Sequence, residues 1–574
     1  MPRHWAARTH RIERSGAVPG THRFGWRRSH VATASWTVWP PHRLSPLHRG
    51  SSGARRGRAG CVWFGRGGKG ALVGPVGVDV LVIGAGVLGR SIAFALASAE
   101  PGLRVACAGR RGAGASEAAG AMLGVLGEVT ASGLRTRHGE LRVRMAVEAA
   151  VRWPKWRALV HQHGERRADG GPKARDGYGT GTFMLLNAVS GRLDERAFTA
   201  VREAGRRYGL PVENVDPDDM PAYRPLENDR ALRALYLPQE AFLDARRWLA
   251  ALDRALGTLG NVVRTPAGEL GATAAGYALH GRDAVFTAPT AVVAAGAWST
   301  PLLHALHPDL TVCPVVAAEG TSVTLGAPAP LPAVLRTPNR AYACGLHAVP
   351  QADGSWYVGA SAAPSLVPGA APTAGALRFL LDAALGQLHH GLTATAVHRL
   401  HHGNRPIGVD GHPLLGAISA PGLSVATGTH RDGLHASPLI AEELAAEILG
   451  GRPSAWLAPW QPERDLICDW PLAQAVEEAA AHYEALTAES RMRPPLTGDW
   501  PTALAELYRQ RMEQTYARLP EGFVLPPELA PLGYEHGPEL AKLVAAHLDR
   551  RRRAAAPATP RAGEAIHPVG EDRE

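Results

Sequence analysis

Asp79-Val80-Leu81-Val82-Ile83-Gly84-Ala85-Gly86-Val87-Leu88-Gly89 is an apolar, β-branched run that breaks into glycines at positions 84, 86 and 89. The run has the composition of a strand buried on both faces. A helical stretch follows from Ser91 to Ser98, then a second strand candidate at Leu103 to Ala108. Gly84 permits a tight turn, Gly86 lets the backbone approach a pyrophosphate, and Gly89 lets the helix lie close to the strand. The helix N-terminus, with unpaired N–H groups and a positive dipole end, favours phosphate. Residues 78 to about 120 therefore read as a dinucleotide-binding βαβ unit. One element is missing: the second strand ends Cys107-Ala108-Gly109-Arg110-Arg111, without the acid that would hold the ribose hydroxyls. The two arginines suit a 2′-phosphate, which would mean NADP, or a solvated turn.

The 574 residues suffice for two or more domains. The net charge of +10 is unevenly placed. Residues 1–77 hold 13 arginines and one lysine against one acid, Glu13, so the rest of the chain carries a net −3. A near-neutral body gives no electrostatic footprint for nucleic acid. The basic extension, 1–77, lacks hydrophobic periodicity and is expected to be disordered; the natural start is expected near Val73 to Val78. The five cysteines have no CxxC spacing, so neither a disulfide framework nor a zinc site is expected, and free thiols in a reducing, cytoplasmic setting are. Arg90 interrupts the apolar stretch Val80 to Ala97, so no membrane span is expected.

Downstream, 136–165 reads as helix, 178–190 as a strand, and 192–260 as mainly helical. Strand candidates follow at Asn261 to Arg264, Gly276 to Leu279, Ala284 to Phe286 and Ala291 to Gly296, then at Gly320 to Leu325 and Trp356 to Gly359. Residues 373–389 read as helix, 396–428 as short strands and turns, Ser437 to Leu449 as helix, and the rest beyond 460 as helical.

Several later segments resemble the D-amino-acid oxidase superfamily of FAD-dependent oxidoreductases, most closely its glycine oxidase and sarcosine oxidase branch. They are Gly114-Ala-Ser116-Glu-Ala-Ala119-Gly120-Ala-Met122-Leu with Glu128 beyond it, Gly181-Thr-Phe, and Leu237-Pro-Gln-Glu240-Ala-Phe-Leu-Asp244. Ala291-Val-Val-Ala-Ala295-Gly296-Ala-Trp298-Ser299, Gly403-Asn404-Arg405-Pro406, Asp410-Gly411-His412-Pro413 and Ala426-Thr-Gly428-Thr-His430-Arg431-Asp-Gly433-Leu434 complete the set in family order. The resemblance covers about residues 78–450 and favours FAD over NADP.

It implies an α/β fold: a discontinuous Rossmann-like FAD-binding domain (78–190, 285–310 and 396–450) with an inserted mixed β-sheet substrate domain (191–284 and 311–395). A helical extension, 451–549, and a disordered tail, 550–574, would follow. It further implies FAD contacts from Gly84, Gly86, Val87, Leu88, Gly89, Ser116, Ala119, Gly120, Met122, Ala295, Gly296, Trp298, Gly428, His430, Arg431, Gly433 and Leu434. Glu117 stands where some relatives attach flavin through His or Cys, so noncovalent FAD is expected.

The implied chemistry is oxidation of the C–N bond of a small amine or amino acid by hydride transfer, with oxygen as acceptor. Arg405 is placed as the clamp for a substrate carboxylate, whose geometry a guanidinium matches. Arg431 is placed beside substrate or flavin, or in a structural pair. His347 stands at the substrate-facing tyrosine position of the family, able to hydrogen-bond substrate or titrate near neutrality, or else a surface strand histidine. Ser437, followed by Pro438, is the expected N-cap of a helix aimed at the flavin. A metal reading of His398, His401, His402 and His412 lacks a carboxylate and suitable spacing, and no metal is expected. A dehydrogenase or tailoring oxidase for a larger amine with another acceptor, or a non-catalytic FAD- or NADP-binding protein, remain open, as does oligomeric state.

Overall fold

The computed structural model describes residues 74–110, 112, 114–164, 176–339, 343–492 and 498–555. Expectations for 1–73, Arg111 and 556–574, and for the side chains of Cys61 and Cys344, lie outside them.

Val80–Ile83 is the central strand of a six-stranded sheet, with Val105–Gly109 and Val262–Pro266 on one side and Thr290–Val293, Leu423–Thr427 and Leu414–Ala417 on the other. All neighbours are parallel except the edge pair Leu414–Ala417 and Leu423–Thr427. The strand's alternation sends its side chains into two cores. Leu81 and Ile83 join one and Val80 and Val82 the other. The helices Val87–Ala99, Arg137–Gly164, Ala245–Thr258 and Ser437–Ile448 cover the Val80 and Val82 face. A four-stranded sheet and residues of the C-terminal helices, including Val476, Met512 and Leu540, cover the other.

Arg90, the charge within the apolar run, is 5% exposed. It pairs with Asp253 at 2.8 Å and also donates to the Ala85 carbonyl, so a buried charge finds both an anion and an acceptor.

The second, ten-stranded sheet is mixed. It contains Gly179–Asn187, Ala231–Phe242, Val315–Leu325, Val334–Arg336, Ala343–Pro350, Trp356–Ser361 and Val397–Gly408. Several elements depart from expectation. Ala231–Phe242 is a 12-residue strand where helix was expected: its Ala, Leu, Arg, Gln and Glu favour helix locally, but pairing with Gly179–Asn187 and Glu213–Val215 overrides propensity. Val397–Gly408 is one long strand, laddered along Val315–Leu325, and so belongs to the larger sheet rather than the nucleotide layer. Gly179–Asn187 does too, whereas Val262–Pro266 crosses the other way into the nucleotide sheet. The expected division at 190, 285 and 396 therefore does not follow the sheets. The last helix, Gly537–Ala555, runs through Arg550–Arg553, where a tail was expected.

The C-terminal extension is joined to the body by ion pairs and hydrogen bonds. Arg464 grips Asp410, Glu478 bonds Ser132, and Asp469 meets His138 and His412. No helix among the described residues is long and apolar enough to cross a membrane.

Candidate active site

A cavity of about 800 Å³ runs from the glycine loop, between the two sheets, to the larger sheet's face. At one end Gly84 has φ +133°, and a Cβ there would lie 2.0 Å from the Ala294 carbonyl oxygen, so only glycine permits this turn against the neighbouring strand. The helix Val87–Ala99 starts at Gly86 without a side-chain cap of its own. Ser116 supplies one from afar: the Val87 N–H donates to Ser116 Oγ at 3.0 Å. The glycine-lined mouth, the helix N-terminus and the absence of acidic side chains in its first turn fit the pyrophosphate of a dinucleotide.

Gly109 ends the second strand against the glycine loop, where a Cβ would fall 2.1 Å from Ala85 Cβ and 2.4 Å from Ala85 N. No side chain fits there without moving the loop. Arg110 lines the cavity at this end, with Gly112, Ala267 and Gly268.

Most residues expected at the cofactor do line the cavity: Gly84, Gly86, Val87, Leu88, Ser116, Ala119, Gly120, Met122, Ala295, Gly296, Trp298, His430, Arg431, Gly433 and Leu434. Gly89 and Gly428 do not. Gly89 sits behind the wall, where a Cβ would lie 1.7 Å from the Gly84 oxygen; Gly428, at φ +71°, would strike Leu414. Both glycines serve close backbone packing. Ser437 is not the N-cap of its helix either: Ala436 takes that place, and the Ser437 hydroxyl donates to the Leu434 carbonyl at 2.8 Å. Ala121 and His430, both with positive φ, line the cavity, and such backbone strain is found where function requires it.

At the other end the larger sheet presents a row of polar side chains. Arg336, His347 and Gly359 are in register across three adjacent strands, so they share a face. His347 is 3% exposed, which excludes a surface strand histidine. Burial, and secondarily the Arg336, Arg405 and Arg431 guanidiniums, push its imidazole down to about 3, well away from neutrality. With Nδ1 donating to the Gly345 carbonyl at 2.9 Å, the neutral ring keeps Nε2 as an acceptor. The ring stacks on Tyr357, whose hydroxyl donates to the Ala118 carbonyl at 2.7 Å. A Cβ at Gly120 would meet Tyr357 at 2.7 Å and His347 Nε2 at 3.1 Å, so this glycine keeps the space above both rings open.

Arg405 reaches over Gly320, where a Cβ would collide with its guanidinium, and donates from Nη1 to the Ser361 carbonyl at 2.9 Å. Arg431 pairs with Glu128, Nη1 to Oε2 at 3.3 Å. His430 is held well below the usual histidine range by burial and by the neighbouring arginines.

Two cavity residues, Arg336 and Tyr357, escaped the sequence reading. A lone arginine ending the apolar run Ala333-Val334-Leu335, and a tyrosine two positions before Gly359 on one strand face, were the available signals.

The histidine-rich stretch does not converge. His401 bonds Thr324 Oγ1 at 2.8 Å, His402 bonds the Gly369 carbonyl at 3.1 Å, and His412 lies 3.5 Å from Asp469. A carboxylate does reach the His412 ring from the extension: Asp469 also bonds His138 Nδ1 at 2.7 Å, and the three candidate ligand atoms lie within 4.8 Å of one another. Cys107 and Cys313 are free and buried, and burial pushes the Cys107 thiol up to about 12.

Comparison with known proteins gives a consistent result. A family model described as FAD dependent oxidoreductase matches residues 79–447. The chain is 28% identical to a glycine oxidase of Geobacillus kaustophilus over 397 residues, 68% of this chain and 97% of that one. It is also 28% identical to a glycine oxidase of Pseudomonas putida, over 67% of this chain and 98% of that one. The crystal structure of the Geobacillus kaustophilus glycine oxidase superposes with a TM-score of 0.58 at 26% identity, covering 68% of this chain and all of that one.

Proposed function

This chain belongs to the FAD-dependent oxidoreductases, and from that premise we propose that it oxidises the C–N bond of a small carboxylated amine. Bound FAD supplies the two-electron acceptor for a hydride from the carbon bearing nitrogen. The protein's part is to bind, orient and exclude water.

The observation that carries this reading is Arg405. Its guanidinium stands on the cavity wall with one backbone carbonyl as acceptor, and no carboxylate lies within 4.0 Å of it among the described residues. A charged fork with donors to spare is suited to hold a substrate α-carboxylate through two parallel hydrogen bonds. His347 Nε2, kept neutral, accepts an N–H from the substrate amine. Hydride loss needs the amine unprotonated, and the surrounding guanidiniums disfavour a further positive charge there. The substrate leaves as an imine, which water hydrolyses to a carbonyl and ammonia or an amine. Oxygen then takes two electrons and two protons to become hydrogen peroxide. The glycine oxidase relatives support an amino-acid substrate.

The test is anaerobic bleaching of the yellow holoprotein by a panel of amines, with peroxide measured in air. R405L should raise KM by about a hundred-fold for a carboxylated amine and leave a carboxylate-free amine unaffected. An unchanged KM refutes the clamp, bleaching without peroxide refutes oxygen as the acceptor, and no bleaching by any amine refutes the reaction.

A further inference from the structure

The cavity holds a second guanidinium with no acid beside it. Arg336 is 1% exposed, yet it lines the same cavity as Arg405. Its Nε donates to the Thr337 carbonyl at 3.4 Å, and its Nη2 donates to the Gly127 carbonyl at 2.8 Å and to Asn339 Oδ1 at 2.7 Å. All three acceptors are neutral. Among the described residues Nη1 has no hydrogen-bond partner, and no carboxylate lies within 4.0 Å of the group. A charge buried without an anion is costly, and a wholly apolar neighbour at this position would avoid that cost.

Glu240 is an internal counter-charge to it. It is buried, and Arg336 pulls its carboxyl down against a net upward push from burial. Its Oε1 is already taken by the Leu126 N–H at 3.0 Å. Among the described residues no ion pair joins Glu240 to Arg336, and Nη1 stays without an acceptor.

The sheet fixes where this donor stands. Arg336 and Gly359 flank His347 in one register row, so about 10 Å of backbone separates them. Two residues beyond Gly359, the Ser361 carbonyl holds Arg405. The two arginines therefore flank the strand of His347 on opposite sides, both on the wall of one cavity.

We propose that the substrate is an amine bearing two acidic groups, its α-carboxylate on Arg405 and its second acid on Nη1 of Arg336. This rests on the amine-oxidising reading and names its substrate class. Glycine would leave Arg336 uncompensated; an amino or imino dicarboxylate would not.

Binding can be read without turnover. The full-length holoprotein is titrated with non-oxidisable acids, acetate and propionate against malonate and succinate, and the flavin absorbance shift gives each Kd. The diacids should bind at least about ten-fold more tightly than the monoacids. R336M should abolish that preference and leave monoacid Kd within about two-fold, whereas R405L should weaken both classes. For turnover, iminodiacetate or aspartate should show kcat/KM above that of glycine or sarcosine, with R336M acting through KM. Equal binding of monoacids and diacids by the wild type overturns the proposal, whether or not R336M folds. So does equal weakening of both classes in R336M, which would make Arg336 only the counter-charge of Glu240. Failure of the amine-oxidising reading looks different: the diacid preference persists while no amine bleaches the flavin.

Discussion

The Val87 amide donates to the Ser116 hydroxyl at 3.0 Å across 29 residues of sequence, tying the segment after the second strand to the N-terminus of the first helix. The bond satisfies one of the four amides a helix leaves open and fixes the mouth through which phosphate is held. S116A should weaken FAD binding about five-fold, a loss of about 1 kcal/mol. Flavin fluorescence quenching on titrating the apoprotein measures it; an unchanged Kd would remove Ser116 from the cofactor's support.

Gly109 makes the opposite prediction from the one a motif comparison suggests. Restoring an acid to the ribose position should harm the protein, because the new Cβ would overlap Ala85, including its backbone nitrogen. G109E and even G109A should cost about 1–3 kcal/mol in stability, the range for overpacking, and should weaken FAD binding. Tighter FAD binding by G109E at unchanged melting temperature would show that the loop yields.

What could be read from the sequence divides along the range of the interactions. Gly84 was legible because a turn against a neighbouring strand tolerates only glycine. Arg405 was legible through its neighbours Gly403 and Pro406, which belong to a local motif. The strand Ala231–Phe242 was not, since its local preference is helical and its state is set by partners tens of residues away. Arg336 was not either: the apolar run that it ends is a weak local sign, and its place on the cavity wall depends on its register with His347. The acid beside His412 in sequence, Asp410, is taken by Arg464, and the fold supplies Asp469 to His412 from 57 positions away.

Buried neutral histidines set the acid limit of stability. His347 is depressed to about 3 and His401 to about 4, and burial also lowers His412, His430 and His435. Each folded-state value lies below the unfolded value of 6.5, so protons bind the unfolded chain preferentially. Their stabilisation is complete above pH 6.5 and is lost as pH falls toward the folded values. Each fully buried group should cost about 1.4 kcal/mol per pH unit below 6.5. Melting temperature should therefore fall steeply between pH 6.5 and 4.5. H347Q should shallow that slope; a melting temperature constant over this interval would refute the account.

Arg464 should be among the most destabilising residues to lose. It holds Asp410, which is fully buried, through Nε at 3.1 Å and Nη2 at 2.9 Å. R464M would strand that carboxylate, with the His412 and Ile467 amides as its remaining donors. The expected loss is about 3–5 kcal/mol, readable as a lower denaturant midpoint. D410N/R464M should recover part of it, because the double variant buries no charge; a double variant worse than the single would show that the pair itself stabilises the fold.

Asp469 joins the extension to the body by a different device. Its carboxylate lies between the His138 and His412 imidazoles, and these two rings hold it below the usual carboxylate range. The 2.7 Å contact with His138 is that of a direct hydrogen bond. Two ligands of one tetrahedral zinc ion, each about 2.0–2.1 Å from the metal, would stand about 3.3 Å apart. The arrangement therefore works as a clamp without a metal. D469N should cost about 1–3 kcal/mol by leaving buried imidazole donors unmatched, and limited proteolysis should cut first in the extension. EDTA should leave the melting temperature of the wild type unchanged. A fall on chelation, reversed by zinc, would convert the clamp into a metal site and overturn this account.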